Sequence, residues 1–261
     1  MTLSVTVLGC GSSGGSPVPG VGWGKCDPDN DKNTRLRPSI MVNSSDGTQI
    51  LIDTSPDLRQ QLLNADITSL DGIIYSHAHA DHLHGIDDIR GLNRAMDRVI
   101  TGYADINTIK QIKQRFDYVL APLPKGATRY FKPTLDMQEI RVGEPFNVKS
   151  INILPIDQDH GYSHTLGFRI GRFAYSTDLM DMCSDSFEAL KGIDTWMLGV
   201  FTDLPHPTHL HLAKALDWIK MVNPRRTVLT HLGPDLDYQT VSDSLPVGVE
   251  LAYDGLQFTV E

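Results

Sequence analysis

The sequence predicts an α/β protein with many short, hairpin-like strands. Three observations lead there. Apolar runs rich in Val, Ile and Leu recur along the chain, bounded by Gly, Pro, Asp and Asn, the pattern of strands closed by turns. Longer stretches with helical spacing are interspersed among them. Four of the ten histidines, His77, His79, His82 and His84, fall within eight residues directly after one apolar run. That sets a polar cluster at the C-terminal end of a strand.

Residues 4–8 read as a strand running into a glycine-rich turn at 9–15, where glycine permits positive φ and close backbone approach. Residues 16–38 carry Gly, Pro, Asp and Asn throughout and read as a long loop. Residues 39–42 and 49–52 form a hairpin with Asp46-Gly47 in its turn. Residues 56–63 are helical, and 72–75 form a short buried strand leading into the histidine cluster. A helix near 83–95, a strand at 99–102 and a helix near 105–115 follow. Residues 121–133 hold three prolines and one glycine and read as a lid or connector. Strands are expected near 138–142, 150–156, 166–170, 173–176, 196–199, 227–230 and 248–251. Helices are expected near 184–190 and 209–222, with Pro207-Thr208-His209 supplying the N-terminal cap of the latter.

The 261 residues form one domain, 1–261, by this reading: no repeat, low-complexity tract or long linker divides them. Lys and Arg number 23 against 32 Asp and Glu, for a net charge of −9. That argues against a broad nucleic-acid-binding face, although a local basic patch can hide within an acidic total. There is no apolar run of about 18 residues to cross a membrane. The start lacks the basic and long apolar regions of a secretory signal. Three scattered cysteines, Cys10, Cys26 and Cys183, give no disulfide framework, and a reducing, cytoplasmic setting is expected.

His77-Ala78-His79-Ala80-Asp81-His82 places four potential ligands in six residues. Neutral imidazole and carboxylate suit Zn²⁺ and also accept Mn²⁺. A turn can aim His77 and His79 at one ion and Asp81 and His82 at the next. A His-rich solvated loop is the plainer alternative, but so many like donors packed together need a cation to stabilise them.

This motif resembles that of the metallo-β-lactamase superfamily, and further positions extend the resemblance over nearly the whole chain. The resemblance implies an αββα sandwich, two mixed sheets with helices on the outer faces. It implies that Asp53 orients the histidine loop without being a ligand. His160, in Asp159-His160-Gly161, is similar to the family's third histidine; Asp178 is similar to its bridging carboxylate, and His231 to its last ligand. One metal would take His77, His79, His160 and Asp178, and the other Asp81, His82, His231 and Asp178. The cofactors so implied are two divalent ions, Zn²⁺ or Mn²⁺.

Residues 8–17 and 35–39 are similar to the phosphodiesterase branch, that of the phosphonate-pathway 5-phosphoribosyl 1,2-cyclic phosphate phosphodiesterases. The resemblance implies a two-metal hydrolase of a small or cyclic phosphodiester that uses a hydroxide shared between the ions. Asp81 and His209 are the candidate catalytic residues; His209, with His206 second, would protonate the departing oxygen. A helix-start residue without chemistry is the plain alternative for His209. A transfer-RNA 3′-end-type endoribonuclease and a non-catalytic biosynthesis accessory protein are the competing readings, and a homodimer is left open. Two features depart from the branch. The early loop keeps one cysteine, Cys26, where a structural zinc site would need several, so Trp23 packing is expected to hold it. There is also no glycine-proline arm for gripping RNA. The 11–15 turn could cradle a phosphate or simply turn the chain; Ser13 and Arg37 are weaker candidates for substrate contact. His84 and His164 are expected in structural hydrogen bonds, and Met180, Met182 and Trp196 in packing.

Overall fold

A computed structural model describes residues 2–261. Two seven-stranded mixed sheets pack face to face with helices on their outer surfaces, the αββα sandwich. The first half of the chain supplies β1 (Leu3–Gly9), β2 (Ser39–Ser44), β3 (Gln49–Ile52), β4 (Gly72–Ile74), β5 (Ile100–Ala104) and β6 (Leu135–Glu139). Between these strands lie α1 (Leu58–Asn64), α2 (Ala80–Leu83), α3 (Arg90–Met96), α4 (Ile106–Arg115) and α5 (Asp117–Leu120). The second half supplies β7 (Phe146–Val148), β8 (Ile151–Asp159), β9 (His164–Ile170), β10 (Phe173–Ser176), β11 (Thr195–Gly199), β12 (Arg226–Thr230) and β13 (Val249–Leu251). It also holds α6 (Ser184–Ala189), α7 (Leu212–Val222) and α8 (Tyr238–Ser242), and ends in β14 (Gln257–Val260). The first sheet runs β14-β1-β2-β3-β4-β5-β6 and the second β13-β12-β11-β10-β9-β8-β7.

Period-two alternation decides what each strand of the first sheet buries. Val42, Ile50, Ile52 and Ile74 turn inward to meet Ile153, Phe168 and Phe173 of the second sheet. Their neighbours Met41, Leu51 and Ile73 turn outward onto Leu58, Leu83, Leu92 and Ile112 of the helices. Each fully buried aliphatic side chain stabilises the fold by about 1.5–3 kcal/mol relative to exposure. On the second sheet, Ala215, Trp218 and Ile219 of α7 are buried against the core.

The hairpin is as expected, Ile40 pairing with Ile52 around a turn in which Asp46 accepts the Thr48 N–H at 3.0 Å. Other segments differ. The expected 83–95 helix is broken into α2, a 3₁₀ turn at Ile86–Ile89 and α3. The break follows Gly85, whose backbone lies so close to Ser55 that a Cβ would overlap the Ser55 carbonyl. The expected 209–222 helix starts only at Leu212. Leu210 and His211 are held out of the helix: Leu210 donates to Leu179 O at 2.6 Å, the Phe201 N–H donates back to Leu210 O at 3.0 Å, and His211 is extended. His211, not Pro207-Thr208-His209, stands at the N-cap position, and its side chain makes no capping bond. The strand expected at 138–142 lies at Leu135–Glu139. The short elements β7, β14, α5 and α8 carry too little pattern to be read from sequence. Residues 121–133 form a connector, tied by Arg94 Nε to Tyr130 O at 2.5 Å.

The early loop is held by a buried arginine, and Trp23 is half exposed. The Arg35 guanidinium, 2% exposed, donates to Leu236 O at 2.7 Å, Asn33 Oδ1 at 3.0 Å and Gly233 O at 3.2 Å. Cys26 is buried with its thiol against Pro234 O and Leu236 O. A single cation satisfying three acceptors does there what a metal or disulfide does in other small loops. The three cysteines are free. No helix is long and apolar enough to cross a membrane among the described residues.

Candidate metal centre

Strand ends build the site. His77 and His79 follow β4, and α2 carries Asp81 and His82. His160 follows β8, Asp178 lies two residues past β10, and His231 follows β12 at once. Asp178 and His231, like Asp53 at the end of β3, have positive φ, at 48°, 56° and 65° respectively. Sparsely populated backbone geometry of this kind gathers at functional sites, where surrounding structure enforces it.

All seven metal candidates named from the sequence converge. His77, His79, His160 and Asp178 form one group, and Asp81, His82, Asp178 and His231 a second; within each, the donor atoms lie inside 4.8 Å of one another. Asp178 divides its oxygens between them. Oδ2 faces His77 Nε2 at 3.5 Å and His160 Nε2 at 3.6 Å. Oδ1 faces His231 Nε2 at 2.8 Å and His82 Nε2 at 3.2 Å. His79 is exposed at the mouth, and the other six are buried.

The histidines are oriented from behind. Asp53 Oδ2 lies 2.7 Å from His82 Nδ1, and Asp53 also accepts the Ser76 N–H and hydroxyl, each at 2.7 Å. Thr208 O lies 2.6 Å from His160 Nδ1. Each bond engages the nitrogen facing away from the centre and leaves the other bare toward it, as ligating imidazoles require. Buried His77 Nε2 and His82 Nε2 have no hydrogen-bond partner. An unsatisfied buried nitrogen costs about 1–3 kcal/mol, and a divalent cation satisfies both. The donor set therefore fits divalent metal ions of the Zn²⁺ or Mn²⁺ class.

Charge follows the same geometry. Burial pushes the Asp178 carboxyl up, but the His231 and His82 imidazoles offset this and hold it well below the usual range. Burial drives His160 down to about 4 and His77 well below its ordinary value. Both are therefore neutral at pH 7, the form that ligates metal.

His209 stands over this centre. Its Nε2 lies 3.6 Å from Asp178 Oδ2, and its Nδ1 is 2.8 Å from Thr208 Oγ1. Its ring meets that of His160 edge-on at 4.7 Å and stacks on His231 at 5.2 Å. His206 lies behind His209, against Phe201 and Thr208, with its ring centroid 5.1 Å from that of His209.

The weaker candidates stand elsewhere. The glycine turn is tied down as a turn: Gly11 donates to Leu36 O and Ser12 to Leu232 O. Ser13 is exposed, and Arg37 is clamped to Asp57 through Nε at 2.8 Å and Nη2 at 2.6 Å. His164 pairs with Asp157 at 3.0 Å. His84 packs edge-on against Phe116, an aromatic contact where a hydrogen bond was expected. Trp196 is fully buried with Nε1 donating to Ser176 Oγ, and Met182 is buried in the core, while Met180 is only half buried. Sequence reading missed Ser76 and Thr208 as orienting residues. Ser76 adjoins the motif and was legible in principle; the Thr208 contact is made by a backbone carbonyl and leaves no trace in residue type.

Comparison with known proteins gives the same architecture. The family described as the beta-lactamase superfamily domain matches residues 48–232. A structure titled as a new diphosphatase from the PhnP family superposes with TM-score 0.89 and 32% identity, covering 100% of this chain and 98% of that one. Zn²⁺-bound PqqB from Methylobacterium extorquens superposes with TM-score 0.75 over 98% of this chain and 99% of its own, at an 18% identity that bears on fold alone. An octanoyltransferase of Porphyromonas gingivalis is 33% identical over 98% of this chain, which spans only 51% of that protein's length.

Proposed function

The chain belongs to the metallo-β-lactamase superfamily, on its PhnP-like branch, and from that premise we propose that it hydrolyses a small or cyclic phosphodiester at a two-metal centre. Metallo-hydrolase is the class its fold and His/Asp cluster support. The phosphodiester and the second ion are our reading. One observation carries it: Asp178 offers one oxygen to each of two complete donor groups.

In this reading His77, His79 and His160 with Asp178 Oδ2 hold one ion, and Asp81, His82 and His231 with Oδ1 hold the other. Such ions, when bound, supply Lewis acidity, lowering the pKa of a water to about 7 and countering phosphate charge. The protein supplies the rest. Asp53 and the Thr208 carbonyl lock imidazole tautomers, so no reorganisation is needed when charge develops. Asp81 would serve both as a metal ligand and, through its carboxylate, as the acceptor of a hydrogen bond from the attacking water. His209 Nε2 protonates the departing alkoxide, its other nitrogen being engaged by Thr208 Oγ1; such a role is worth about 10²–10⁴ in rate.

The test is an activity screen of metal-defined protein on bis(p-nitrophenyl) phosphate, a 2′,3′-cyclic nucleotide, a cyclic sugar phosphate, a thioester and a lactam. Metal-dependent turnover confined to the phosphodiesters is the expected result. Turnover of the thioester or lactam with none of the phosphodiesters would replace this reading.

A further inference from the structure

Asp178 unites the two donor groups, yet it lies past the end of its strand in a costly backbone conformation. The β9–β10 ladder stops at Tyr175 opposite Phe168, and Asp178 turns to a φ of 48°. Such geometry persists only where neighbouring structure over-determines it. Two fully buried side chains, neither of them a metal candidate, supply that structure. Gln158 on β8 donates from Nε2 to Thr177 O at 2.8 Å and to Thr165 Oγ1 at 3.0 Å. Thr165, its cross-strand partner on β9, donates from Oγ1 to Asp178 O at 2.8 Å. Chemistry fixes the direction of every bond. A carbonyl only accepts, so Thr177 O must face the amide nitrogen of Gln158 and not its oxygen. The second amide hydrogen then goes to Thr165 Oγ1, and the single hydroxyl proton is left for Asp178 O.

Thr177 O belongs to the peptide unit before the Asp178 Cα and Asp178 O to the one after it. Both units are therefore held, which fixes φ and ψ together and with them the root of the carboxylate. The relay has a cost. Gln158 Oε1 is buried with no partner among the described residues, and it lies against Gly167, where a Cβ would overlap it. A buried amide left half satisfied breaks a rule of folding, and such breaks gather at functional sites. We propose that Gln158 and Thr165 are positioning residues of the metal centre: they act through Asp178, holding its carboxylate where both donor groups can use it. This rests on the reading of Asp178 as a ligand shared by two ions.

The test measures Zn²⁺ affinity by chelator competition, beside the urea midpoint of the metal-free protein. Gln158→Met exchanges one orphaned oxygen, Oε1, for another, Thr177 O, so the metal-free midpoint should stay at the wild-type value. Zinc affinity should nonetheless fall about 10–100-fold. Both binding steps should weaken, because Asp178 is common to the two donor groups. A disturbance of β8 alone would reach only the group that contains His160. Thr165→Val should weaken both steps likewise, and Thr165→Ser, which keeps the hydroxyl, should restore them. Thr227→Val removes a buried hydroxyl of the same sheet that has no partner among the described residues, and should keep wild-type affinities. Unchanged affinity in Gln158→Met and Thr165→Val, no recovery in Thr165→Ser, or a loss confined to one step overturns the proposal. So does an affinity loss matched by an equal fall in metal-free stability, the mark of a merely structural pair. Should Thr165→Val fail to fold, Gln158→Met decides by the same two readouts. A wild-type stoichiometry of one ion defeats the two-metal reading by itself. The relay is then judged on that one affinity, since either group alone includes Asp178.

Discussion

The Asp53 carboxylate lies 2.7 Å from Nδ1 of His82, and both side chains are fully buried. This contact fixes the imidazole with its proton on Nδ1 and turns bare Nε2 toward Asp178. Asp53→Asn is a clean probe of it, because Asn accepts the positive φ that the position imposes. Its amide would present a donor to Nδ1 and favour the wrong tautomer. Metal affinity, measured by chelator competition, should fall about 10–100-fold with the fold retained by circular dichroism. Unchanged affinity would leave Asp53 a packing residue.

Asp178→Ala should lower occupancy at both metal positions, since each group loses a carboxylate oxygen. Elemental analysis is the check. Two full equivalents of metal in the variant would remove the bridge.

His209 should matter in proportion to how badly the departing oxygen needs a proton. His209→Ala should lose about 10²–10⁴ in kcat on an alkyl or cyclic phosphodiester and much less on a nitrophenyl ester, with metal content unchanged. His206→Ala should cost far less on either, because His209 stands between it and the donors. Equal losses on both substrates would point to phosphate binding and end the acid assignment.

Asp237 gives a pH dependence away from the centre. Burial pushes its carboxyl up, but the backbone N–H groups of Asp27 and Thr240 and the Asn33 amide more than offset this and hold it below the usual carboxylate range. A folded value depressed below the unfolded one contributes stability that is complete above about pH 4 and is lost as the pH falls toward the folded value. Urea unfolding of wild type and Asp237→Asn should therefore differ more at pH 7 than at pH 3. The same gap at both would dismiss the carboxylate's ionisation as its source.

The early loop should tolerate loss of its thiol better than loss of its guanidinium. Cys26→Ser should leave metal content unchanged. Arg35→Met should cost about 2–4 kcal/mol, through the loss of three buried hydrogen bonds to a charged donor. Denaturant midpoints that rank the two variants the other way would show that the thiol anchors the loop.

The motif and its strand were legible because six consecutive residues carry four donors, a density that few other demands produce. His160, Asp178 and His231 were legible only as a set, by order and by placement after apolar runs; nothing local distinguishes them. Where reading failed, the cause was tertiary. The 209–222 periodicity extends to residue 209, but a hydrogen bond from Leu210 to Leu179 O, thirty-one residues away, and one from Phe201 to Leu210 O hold the chain out of the helix before Leu212. Those same bonds bring the Thr208 carbonyl to His160 and His209 over Asp178. Gly85 reads as an ordinary helix interruption until Ser55 is seen against it. Arg35 reads as a surface charge, because no pattern within the loop announces the three carbonyl and amide oxygens that enclose it.

The pairing of β1 with β14 joins Leu3 to Val260, and an isolated bridge joins Gly11 to Leu232 beside the last histidine donor. Both have a consequence for the order of events at the ribosome. A nascent chain that has exposed only the histidine loop offers His77, His79, Asp81 and His82, but neither the carboxylate that unites the groups nor the histidine that completes the second. β1 meanwhile lacks the strand that covers one of its edges. Pairings this distant in sequence form slowly and late. The sandwich therefore closes only after β14 has emerged, and the two four-donor groups, with Asp178 counted in both, are complete only once His231 is available.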